Sequence, residues 1–388
     1  MGLDTNIVGV GYSDPDTFTD HRESRTHKET MGYQAVSSAL EHAGIGIDDL
    51  DATVFTSVDG FEGTNRIERT METFGQDTNT PLLSVNTGGT GGGSAFKAGY
   101  ELVSSGMHDL VLVYGSSTWD SAVDAQQILN TAAPPLYEKP FIAAAHMGAF
   151  YGTGYMEKHG ATEEDFARAA AKNYQAAANN PYAHRREPYT VEDVLDSPMV
   201  VSPLRLLGTC PVSGGSVALV LASKETAQEL TDTSVHVEDI DTISNTYLTG
   251  YREYQGFEKL DKLADRVYGR TDVEDPLSEF DVAELFNPYI PFEPIEYDAL
   301  GFCEPGGGPE LLREGVTDMD GELPVNPSGG PLCTNPGIAA SVARHAEVAL
   351  QIMGEAGDRQ IDDVERGIAH SWGGNDGQFH SLAVLSRD

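Results

Sequence analysis

PLLSVNTGGTGGGSAFKAGYELVSSG, residues Pro81 to Gly106, joins a predicted strand to a predicted helix through a glycine-rich turn. Its apolar start, Leu82 to Val85, is typical of a buried strand, and the apolar residues after Gly93 recur at helical spacing. Glycine lets a backbone take positive φ and approach a ligand closely, and the first amide N–H groups of a helix can bind an anion. Thr90, at the tip of the turn, is therefore predicted either to present a nucleophile or merely to cap the helix of an ordinary strand–helix connection.

Strands and helices alternate on both sides of this stretch. Upstream, an apolar strand is followed by an amphipathic helix that ends at a glycine, by a second strand and by another helix. Strands that alternate with helices and are apolar on both faces predict a mainly parallel, covered sheet in an α/β protein. The predicted elements span Asn6 to Gly11, Thr30 to Gly44, Thr53 to Val58, Arg66 to Phe74 and Leu110 to Tyr114.

An internal repeat organises the whole chain. Val85-Asn86, two further residues and Gly-Gly in the first half return as Val325-Asn326, two further residues and Gly-Gly in the second. Each copy precedes a polar turn, a helix and a strand, which in the second copy are predicted over Ile338 to Met353 and Gly367 to Ala369. Self-similarity of this kind indicates two copies of one unit. If the copies pair about a pseudo-twofold axis, their glycine turns face a shared cleft.

The alternation stops between Thr118 and Pro203, where prolines and loop aromatics replace the strand pattern. We interpret this segment as an insertion over one end of the sheet, containing a helix that begins after Thr162. The strand pattern then returns at Ser216. The predicted division is therefore residues 1–117 with 204–232 as the amino-terminal half, 118–203 as a loop insertion over the active site, and 233–388 as the carboxyl-terminal half.

Composition limits the classes of function. Asp and Glu number 61 against 24 Lys and Arg, a formal charge of -37 spread along all 388 residues. Self-repulsion of this size is screened at molar salt, so we predict a protein from the cytosol of a halophile. The absence of a basic patch argues against binding to nucleic acid or to an anionic membrane. No signal peptide and no apolar run of membrane-spanning length is evident.

Three cysteines, Cys210, Cys303 and Cys333, contain no CxxC pair, so we predict neither a disulfide scaffold nor a metal site. They are expected to be reduced and mostly to contribute to packing.

Four segments make the chain resemble the thiolase superfamily, and within it the sterol-carrier-protein-type group and haloarchaeal acetyl-CoA acetyltransferase (β-ketothiolase) catalytic subunits. The resemblance covers nearly the full length and implies the thiolase fold: two repeated βαβαβ halves in a five-layer αβαβα arrangement with a loop insertion. The segments are VNTGGTGGGSA, His146-Met147-Gly148, SPLRLLGTCPVSGGSVALVL, and LPVNPSGGPLCTNPGIAAS with IAHSWGGNDGQF from the carboxyl-terminal half.

The resemblance implies chemistry on β-ketoacyl thioesters of coenzyme A, which is substrate and product rather than a bound cofactor. In the family a cysteine takes the acyl group, a histidine activates it and a second acid/base residue moves the α-proton. Spacing to Ser105-Gly106 places the position of the family cysteine at Thr90. A hydroxyl is a weaker nucleophile than a thiol and needs an adjacent base, so Thr90 is a departure from the family pattern.

A second departure lies at Thr334-Asn335-Pro336, where the family commonly has Gly-His-Pro. Asn335 cannot act as a base, but its amide can donate a hydrogen bond to an oxyanion. We expect this oxyanion hole to include the backbone at Gly89 and Gly374. The neighbouring Cys333 is the alternative nucleophile.

A third departure is Phe286, which stands where related proteins carry a polar residue. The adjacent Asn287 could orient a water, and Tyr289 keeps a retro-aldolase mechanism open. His370 falls where the family has the residue that moves the α-proton, and His146 lies in the segment beside the acyl pocket. Imidazole has a suitable pKa for acid/base work near neutrality. The remaining histidines are predicted to lie at the surface, except His380, which is left undecided.

Three functions remain open from the sequence. The first is an acyltransferase on short β-ketoacyl-CoA and acetyl-CoA, with Thr90 as acyl acceptor, His370 and His146 as the acid/base pair and Asn335 in the oxyanion hole. The second is a retro-aldolase on β-hydroxyacyl-CoA, and the third a non-catalytic acyl-CoA-binding or scaffold subunit. By resemblance, we also expect a homodimer and a separate zinc-ribbon/OB-fold partner protein.

Overall fold

In the part of the chain that the structure describes, nine strands form one mixed sheet in the spatial order β3-β2-β4-β7-β1-β8-β11-β10-β9, and β5 and β6 form a separate hairpin. The computed structural model describes residues 3–56, 75, 80–116 and 144–388. The strands are β1 Thr5–Tyr12, β2 Ala52–Thr56, β3 Leu82–Val85, β4 Leu110–Ser116, β5 Met199–Val201, β6 Leu204–Arg205, β7 Ser216–Ser223, β8 Val235–Ser244, β9 Val282–Glu284, β10 Arg366–Gly373 and β11 Phe379–Arg387.

Helices cover both faces of this sheet. We number the described helices in chain order, leaving out single 3₁₀ turns. They are α1 Lys28–Ala43, α2 Gly91–Ser104, α3 Ala144–His159, α4 Glu163–Ala177, α5 Val191–Asp196, α6 Lys224–Leu230, α7 Glu258–Thr271, α8 Pro276–Glu279, α9 Phe292–Ala299, α10 Gly308–Glu314, α11 Gly330–Cys333 and α12 Ala339–Met353. The helix predicted over Arg66 to Phe74 lies outside the described residues.

The order of the strands shows the internal repeat. The amino-terminal half reads β3-β2-β4-β7-β1 from its outside inward, and the carboxyl-terminal half reads β9-β10-β11-β8. An isolated parallel bridge between Ala283 and Val325 supplies the second half with its counterpart of β3. Parallel and antiparallel neighbours also follow in the same sequence in both halves. The halves join where β1 pairs with β8, through Asn6 with His236 and Ile7 with Val235.

The prediction of a mainly parallel sheet is wrong. Only β2 with β3, β2 with β4, and β9 with β10 pair in parallel, and the other pairings of the described sheet are antiparallel. The reason is connectivity. The chain re-enters the sheet as β7 after a long insertion rather than after one crossover helix, and β10 runs into β11 through a short turn, which forces an antiparallel pair.

Helices α2 and α12 form the middle layer of the protein. They contact each other and strands from both halves, and their apolar faces belong to one buried cluster that includes Phe96, Val342 and Leu219. A second cluster packs α1 against the outer face of the amino-terminal half. A third packs α3, α4, α7 and α9 against the outer face of the other half. The arrangement is that of the thiolase fold, with helical layers outside and between the two halves of the sheet.

The described part of the insertion packs against the carboxyl-terminal half. Its helix α4 begins as expected, because Thr162 accepts a hydrogen bond from the Asp165 amide at 3.3 Å and Asp165 caps the Thr162 amide in return. Residues 117–143 lie outside the described residues. The domain boundaries therefore stay a prediction.

The expectation that Leu82 to Val85 form a buried strand is also wrong. In the structure β3 is the outermost strand of the described sheet, with Leu83 and Ser84 exposed and the other two residues half-buried. An apolar run cannot by itself distinguish a central strand from an outer strand whose apolar side chains stay uncovered in the single chain.

Candidate functional site

Two glycine turns, one from each half, meet at the candidate site. A Cβ atom added to Gly88 would lie 2.9 Å from the Gly374 amide nitrogen, and one added to Gly373 would lie 2.2 Å from the Thr90 nitrogen. Gly88 and Gly374 also have positive φ, 61° and 75°. These positions therefore require glycine both for space and for backbone conformation. The turn that meets Gly88 is not the Gly329-Gly330 repeat of the sequence but the turn after β10.

Thr90 lies at the start of α2 and is fully buried. Its hydroxyl donates a hydrogen bond to the Phe379 carbonyl oxygen at 3.0 Å, and it makes no side-chain cap to the helix. The capping interpretation of Thr90 is therefore wrong. Among the described residues, no histidine, aspartate or glutamate side chain hydrogen-bonds to this hydroxyl, so the described part of the chain supplies no base in contact with it.

The amino-terminal ends of α2 and α12 also meet here. The Gly92 amide donates to Ser341 Oγ at 2.7 Å, and a Cβ added to Gly91 would lie 2.9 Å from Ile338 Cγ2. The first amide groups of a helix lack partners within the helix and carry partial positive charge. In the structure the Gly91 amide donates to the Gly88 carbonyl oxygen at 2.8 Å and the Ala339 amide to the Pro336 carbonyl oxygen at 3.2 Å, so the pairing of the two ends fixes the turns in place.

Asn335 lies on the segment that leads into α12 and is half-buried. Its Nδ2 donates to Cys210 Sγ at 3.2 Å, and its backbone amide donates to Ser213 Oγ at 3.1 Å. Its neighbour Cys333 is fully buried, and burial raises the pKa of the Cys333 thiol well above its usual value. Of Cys333 and Asn335, only Asn335 is therefore partly exposed.

Asn287 and Tyr289 lie on the segment after β9. Asn287 Nδ2 donates to Glu293, whose carboxylate also pairs with Lys172 Nζ at 2.6 Å. Asn287 is fully buried, so its amide N–H is committed to this internal network. Tyr289 packs beside Gly148 of α3, where an added Cβ would lie 2.6 Å from Tyr289 Cβ.

His146 lies two residues before Gly148 on α3, half-buried, with its ring centroid 6.5 Å from that of Phe150. Gly148, in the same segment as His146, thus contacts Tyr289. Cys210 joins this group because its amide donates to the Pro288 carbonyl oxygen at 2.8 Å.

His370 lies on the other face of β10 from α2. Its neighbour Ser371 faces α2, because a Cβ added to Gly93 would lie 1.9 Å from Ser381 Oγ and 3.2 Å from Ser371 Oγ. Side chains alternate along a strand, so His370 points away from the Thr90 turn. The structure therefore does not bring His370 and Thr90 together as an acid/base residue and its nucleophile.

His370 instead belongs to a buried cluster with His380 and Glu296. Its Nε2 lies 3.1 Å from His380 Nδ1, and its Nδ1 lies 3.4 Å from Glu296 Oε1. Burial lowers the pKa of His370 to about 3 and raises the pKa of Glu296 well above its usual value. The His370 ring is therefore neutral at physiological pH and burial favours the protonated form of Glu296, so the Glu296–His370 contact is not a salt bridge.

Sequence reasoning missed several residues that the fold brings to the site. Two histidines outside the site, His21 and His345, are buried, so the prediction that they lie at the surface is wrong. More relevant are Cys210, which was assigned to packing, and His184, whose Nδ1 lies 2.9 Å from Ser213 Oγ. Cys210 lay in a quoted family segment, but nothing local marked His184, which is near Ser213 only in the folded chain.

The described residues show no metal site and no membrane helix. Within residues 3–56, 80–116 and 144–388, no three His, Cys, Asp or Glu side chains are grouped so as to hold a metal ion. None of the helices in this part of the chain is long and apolar enough to cross a bilayer.

Two protein-family models match the chain. The thiolase amino-terminal domain matches residues 17–225, and the thiolase C-terminal domain-like family matches residues 261–387. Together they cover most of the chain, one for each half.

Individual relatives agree with these models. The acetyl-CoA acetyltransferase of Methanothermobacter thermautotrophicus is 31% identical over 359 residues, which are 91% of this chain and 93% of the relative. Sterol carrier protein 2 of Oryctolagus cuniculus is 28% identical over 386 residues, 95% of this chain and 68% of the relative. Among solved structures, the Ltp2-ChsH2(DUF35) aldolase superposes with a TM-score of 0.86 at 25% identity, over 99% of this chain and 98% of that chain.

Proposed function

Because the chain belongs to the thiolase superfamily, we propose that it is an acyl-CoA C-acyltransferase acting on short β-ketoacyl-CoA and acetyl-CoA. The observation that carries the proposal is the contact between the Gly88–Thr90 turn and the Gly373–Gly374 turn at the paired ends of α2 and α12. Backbone amides fixed in this way are suited to hold the thioester oxygen as it becomes negative. Each donor of such an oxyanion hole typically contributes about 3 kcal/mol to stabilisation of the transition state.

In this proposal the two halves supply different parts of the reaction. The amides near Gly89 and Gly374 bind the oxyanion, Asn335 donates to the same region, and His146 and Tyr289 line the acyl side. Coenzyme A enters as substrate and leaves as product, and no other cofactor is required.

The role of Thr90 has two versions. As acyl acceptor, its hydroxyl would have to leave the Phe379 carbonyl and pass its proton to a base, and no described side chain in contact with it is a base. As part of the oxyanion hole, Thr90 acts through its backbone amide and its hydroxyl only fixes the turn. We favour the second version.

Thiolysis of acetoacetyl-CoA by free CoA in molar KCl tests the proposal, followed by loss of the enolate absorbance. The wild type should turn over, and Thr90→Val should keep turnover within roughly tenfold, since the amide remains. Thr87→Val is the matched control, because Thr87 lies in the same turn and its hydroxyl bonds to Ser94 Oγ at 2.8 Å. Loss of turnover in Thr90→Val alone would assign the nucleophile to its hydroxyl. A wild type without turnover, also with a partner protein added, would contradict the acyltransferase.

A retro-aldolase is the second candidate. The similarity to an aldolase and the absence of a described base at Thr90 favour it, because cleavage of a β-hydroxyacyl-CoA needs no acyl acceptor. Release of acyl-CoA from a β-hydroxyacyl-CoA, lost in Tyr289→Phe but not in Thr90→Val, would support this reaction. A non-catalytic scaffold subunit remains the alternative if both assays are negative and acyl-CoA still binds.

We also propose that the chain works with a separate zinc-ribbon/OB-fold partner. The structural neighbour named above is a complex of Ltp2 with ChsH2(DUF35), and this likeness supports the proposal. Pull-down from native cells in high salt should recover such a chain, and its absence would discard the partnership.

A halophilic cytoplasm is proposed from the formal charge of -37. Self-repulsion among carboxylates should be screened as salt rises. The midpoint of thermal unfolding should therefore increase from 0.1 M toward molar KCl. A midpoint that falls over this range would contradict a halophilic adaptation.

A further inference from the structure

We propose that Arg22, Arg25 and Arg186 form a patch that binds the 3′-phosphate at the nucleotide end of coenzyme A. This inference rests on the proposed acyltransferase function, which places the reacting thioester at the Gly88–Thr90 turn. It deepens that function by naming the residues that distinguish CoA from a thioester without the 3′-phosphate.

One edge of the sheet carries both the Thr90 turn and this patch. A single row of paired residues crosses the five strands of the amino-terminal half, and it consists of Val85, Thr56, Gly115, Val217 and Tyr12. The chain leaves this row after Val85 toward Thr90, and after Tyr12 toward Arg22. The two segments therefore start from the same edge, at opposite ends of the row.

The length of this edge matches the length of a CoA molecule. Neighbouring strands lie about 4.8 Å apart, so the ends of β3 and β1 are roughly 19 Å from each other. The pantetheine arm of CoA has about as many backbone bonds as four peptide residues, and it spans roughly 14 Å when extended. The diphosphate and the 3′-phosphate lie beyond the end of this arm. A thioester held at the Thr90 turn can therefore place its 3′-phosphate near the segment that follows β1.

The loop before β7 contacts the first basic segment. The Gly214 amide donates to the Thr19 carbonyl oxygen at 2.9 Å, and a Cβ added to Gly214 would lie 3.7 Å from Ser24 Oγ. Arg22 lies within this stretch of contacts and Arg25 directly after it. The backbone that carries both arginines is therefore packed against the loop.

The insertion reaches the same loop with the third arginine. His184 Nδ1 lies 2.9 Å from Ser213 Oγ, and the Arg185 guanidinium donates to the Thr209 carbonyl oxygen at 2.6 Å. These contacts fix the backbone directly before Arg186, whose side chain is exposed. The fold thus brings to one loop two basic segments that are far apart in the sequence.

This loop is also tied to the candidate site. The Ser213 amide donates to the Asn335 carbonyl oxygen at 3.1 Å, and Ser213 Oγ accepts the Asn335 amide at 3.1 Å. Asn335 leads into α12, whose first turn contacts α2 through the hydrogen bond from Gly92 to Ser341. One short, hydrogen-bonded segment of chain therefore connects the patch to the paired helix ends.

The three arginines have no carboxylate partner in a protein that is rich in carboxylates. The chain has 61 Asp and Glu against 24 Lys and Arg, and most lysines and arginines of the described chain pair with one. Arg22, Arg25 and Arg186 are exposed and form no ion pair with any residue that the structure describes. The neighbouring Asp20 is engaged elsewhere, since it accepts the Arg22 amide at 2.8 Å and lies 3.5 Å from His21 Nδ1.

A small phosphorylated ligand suits this patch. Arginine binds a phosphate through two parallel hydrogen bonds, and a phosphate monoester carries almost two negative charges at neutral pH. The surrounding surface belongs to a chain with a formal charge of -37, which repels a long polyanion such as a nucleic acid beyond the patch. The 3′-phosphate of CoA is a single group of the matching charge.

Binding of CoA and of 3′-dephospho-CoA tests the assignment by isothermal titration calorimetry in 1 M KCl. At this salt the Debye length is about 3 Å, so the affinities report direct contacts rather than long-range attraction. We expect the wild type to bind CoA about tenfold more tightly than 3′-dephospho-CoA. The triple variant Arg22→Gln, Arg25→Gln, Arg186→Gln should bind the two ligands within about twofold of each other, with an unchanged affinity for 3′-dephospho-CoA.

Lys158→Gln is the matched control, because Lys158 is exposed and has no ion pair within the described residues. It should keep the wild-type ratio of the two affinities. A wild type that does not distinguish the ligands would overturn the patch, and so would a triple variant that keeps the wild-type ratio or loses both ligands equally.

Thiolysis of acetoacetyl-CoA by the same samples separates the patch from the proposed function. Turnover by the wild type together with an unchanged affinity ratio in the triple variant would overturn the patch and leave the acyltransferase standing. A wild type that shows the tenfold preference without turnover would overturn the acyltransferase and leave the patch as a CoA site. A wild type that binds neither ligand would overturn both.

Discussion

The two repeats share one strand order, yet their glycine turns lie in different surroundings. Gly88, of the first repeat, is half-buried and meets the Gly373–Gly374 turn at the candidate site. Gly329, of the second, is fully enclosed, and a Cβ there would lie 2.5 Å from Ala177 Cβ of α4. The same motif thus forms a site where it stays uncovered and a packed junction where the insertion covers it.

The covered repeat also contains buried ion pairs. Arg344 of α12 pairs with Glu284 of β9, and Ser328 donates to both Glu284 oxygens, at 3.0 Å from its amide and 2.9 Å from its hydroxyl. These side chains are at most 2% exposed. In the first repeat the outer strand β3 has exposed residues instead. A buried ion pair thus lies beside the turn of the second repeat, whereas the outer strand of the first repeat is exposed in the single chain.

Arg344→Met, which breaks the buried ion pair, should reduce the unfolding free energy more than any other substitution described below. Removing one partner of a buried pair leaves the other charge uncompensated, which typically costs about 3–5 kcal/mol of unfolding free energy. Denaturant unfolding in molar KCl measures the loss, and Arg344→Met with Glu284→Gln should recover much of it. Arg168→Met, which breaks the exposed pair with Glu164, is the control and should match the wild type. Similar losses of unfolding free energy in Arg344→Met and Arg168→Met would mean that the buried pair contributes no more to stability than the exposed pair.

Gly373→Ala tests the contact between the halves at the site. The new Cβ would lie 2.2 Å from the Thr90 nitrogen, so the turns must separate, at a cost of typically 1–3 kcal/mol. We expect turnover to fall further than stability, because the oxyanion amides move apart. Gly250→Ala, with nothing within 4 Å of its Cβ, is the matched control. Unchanged turnover in Gly373→Ala would remove this contact from the site.

Buried histidines should make the second repeat sensitive to acid. Burial holds the pKa of His370 at about 3, against about 6.5 in the unfolded chain. Below pH 6.5 the unfolded chain therefore binds the extra proton, and folding stability falls as pH decreases toward 3. At pH 5 this one group should cost roughly 2 kcal/mol relative to pH 7.

The variant His370→Asn should lose less stability than the wild type between pH 7 and pH 5, measured by denaturant unfolding. His27→Asn, at an exposed position, is the control and should keep the wild-type dependence of stability on pH.

Glu296 acts with the opposite sign. Burial raises its pKa, so the unfolded chain releases its proton first and stability falls as pH rises above about 4.5. Glu296→Gln should therefore stabilise the protein at pH 7 and above.

The smallest effect on stability is expected at Leu83 of β3, which is 37% exposed. If the homodimer expected from the resemblance forms by pairing of β3 with its copy, Leu83→Glu should yield monomers by light scattering with little change in unfolding of the chain. Met107→Glu, at a residue 70% exposed outside the strands, controls for the added charge. A dimer that persists in Leu83→Glu would place the interface elsewhere.

Much of the fold could be predicted from the sequence because the decisive signals are local. The repeated Val-Asn and Gly-Gly spacing indicated two equivalent units, and the order of the strands confirms them. The capping box at Thr162 likewise depends on residues three apart. Strand direction was missed because it depends on where the chain returns after residue 203, which no short pattern encodes.

The site was harder to predict because its parts meet only in three dimensions. Asn335 was found from a motif, but its contact with Cys210 spans more than a hundred residues of chain. His370 was placed in the site by its motif, and the alternation of side chains along β10 turns it to the opposite face. One residue of register decides between these faces, and a motif match does not determine it.

The junction of β1 with β8 reduces the number of unpaired backbone N–H and C=O groups at the edges of the sheet. A separate five-stranded sheet and a separate four-stranded sheet would leave four rows of unpaired backbone donors and acceptors. The two β1–β8 pairs, Asn6 with His236 and Ile7 with Val235, close part of two of these rows, and the bridge from Ala283 to Val325 covers part of a third. Among the described strands, the main open row is then that of β3. We expect strand pairing with another chain to use this row first, because an uncovered edge is a template for a further strand.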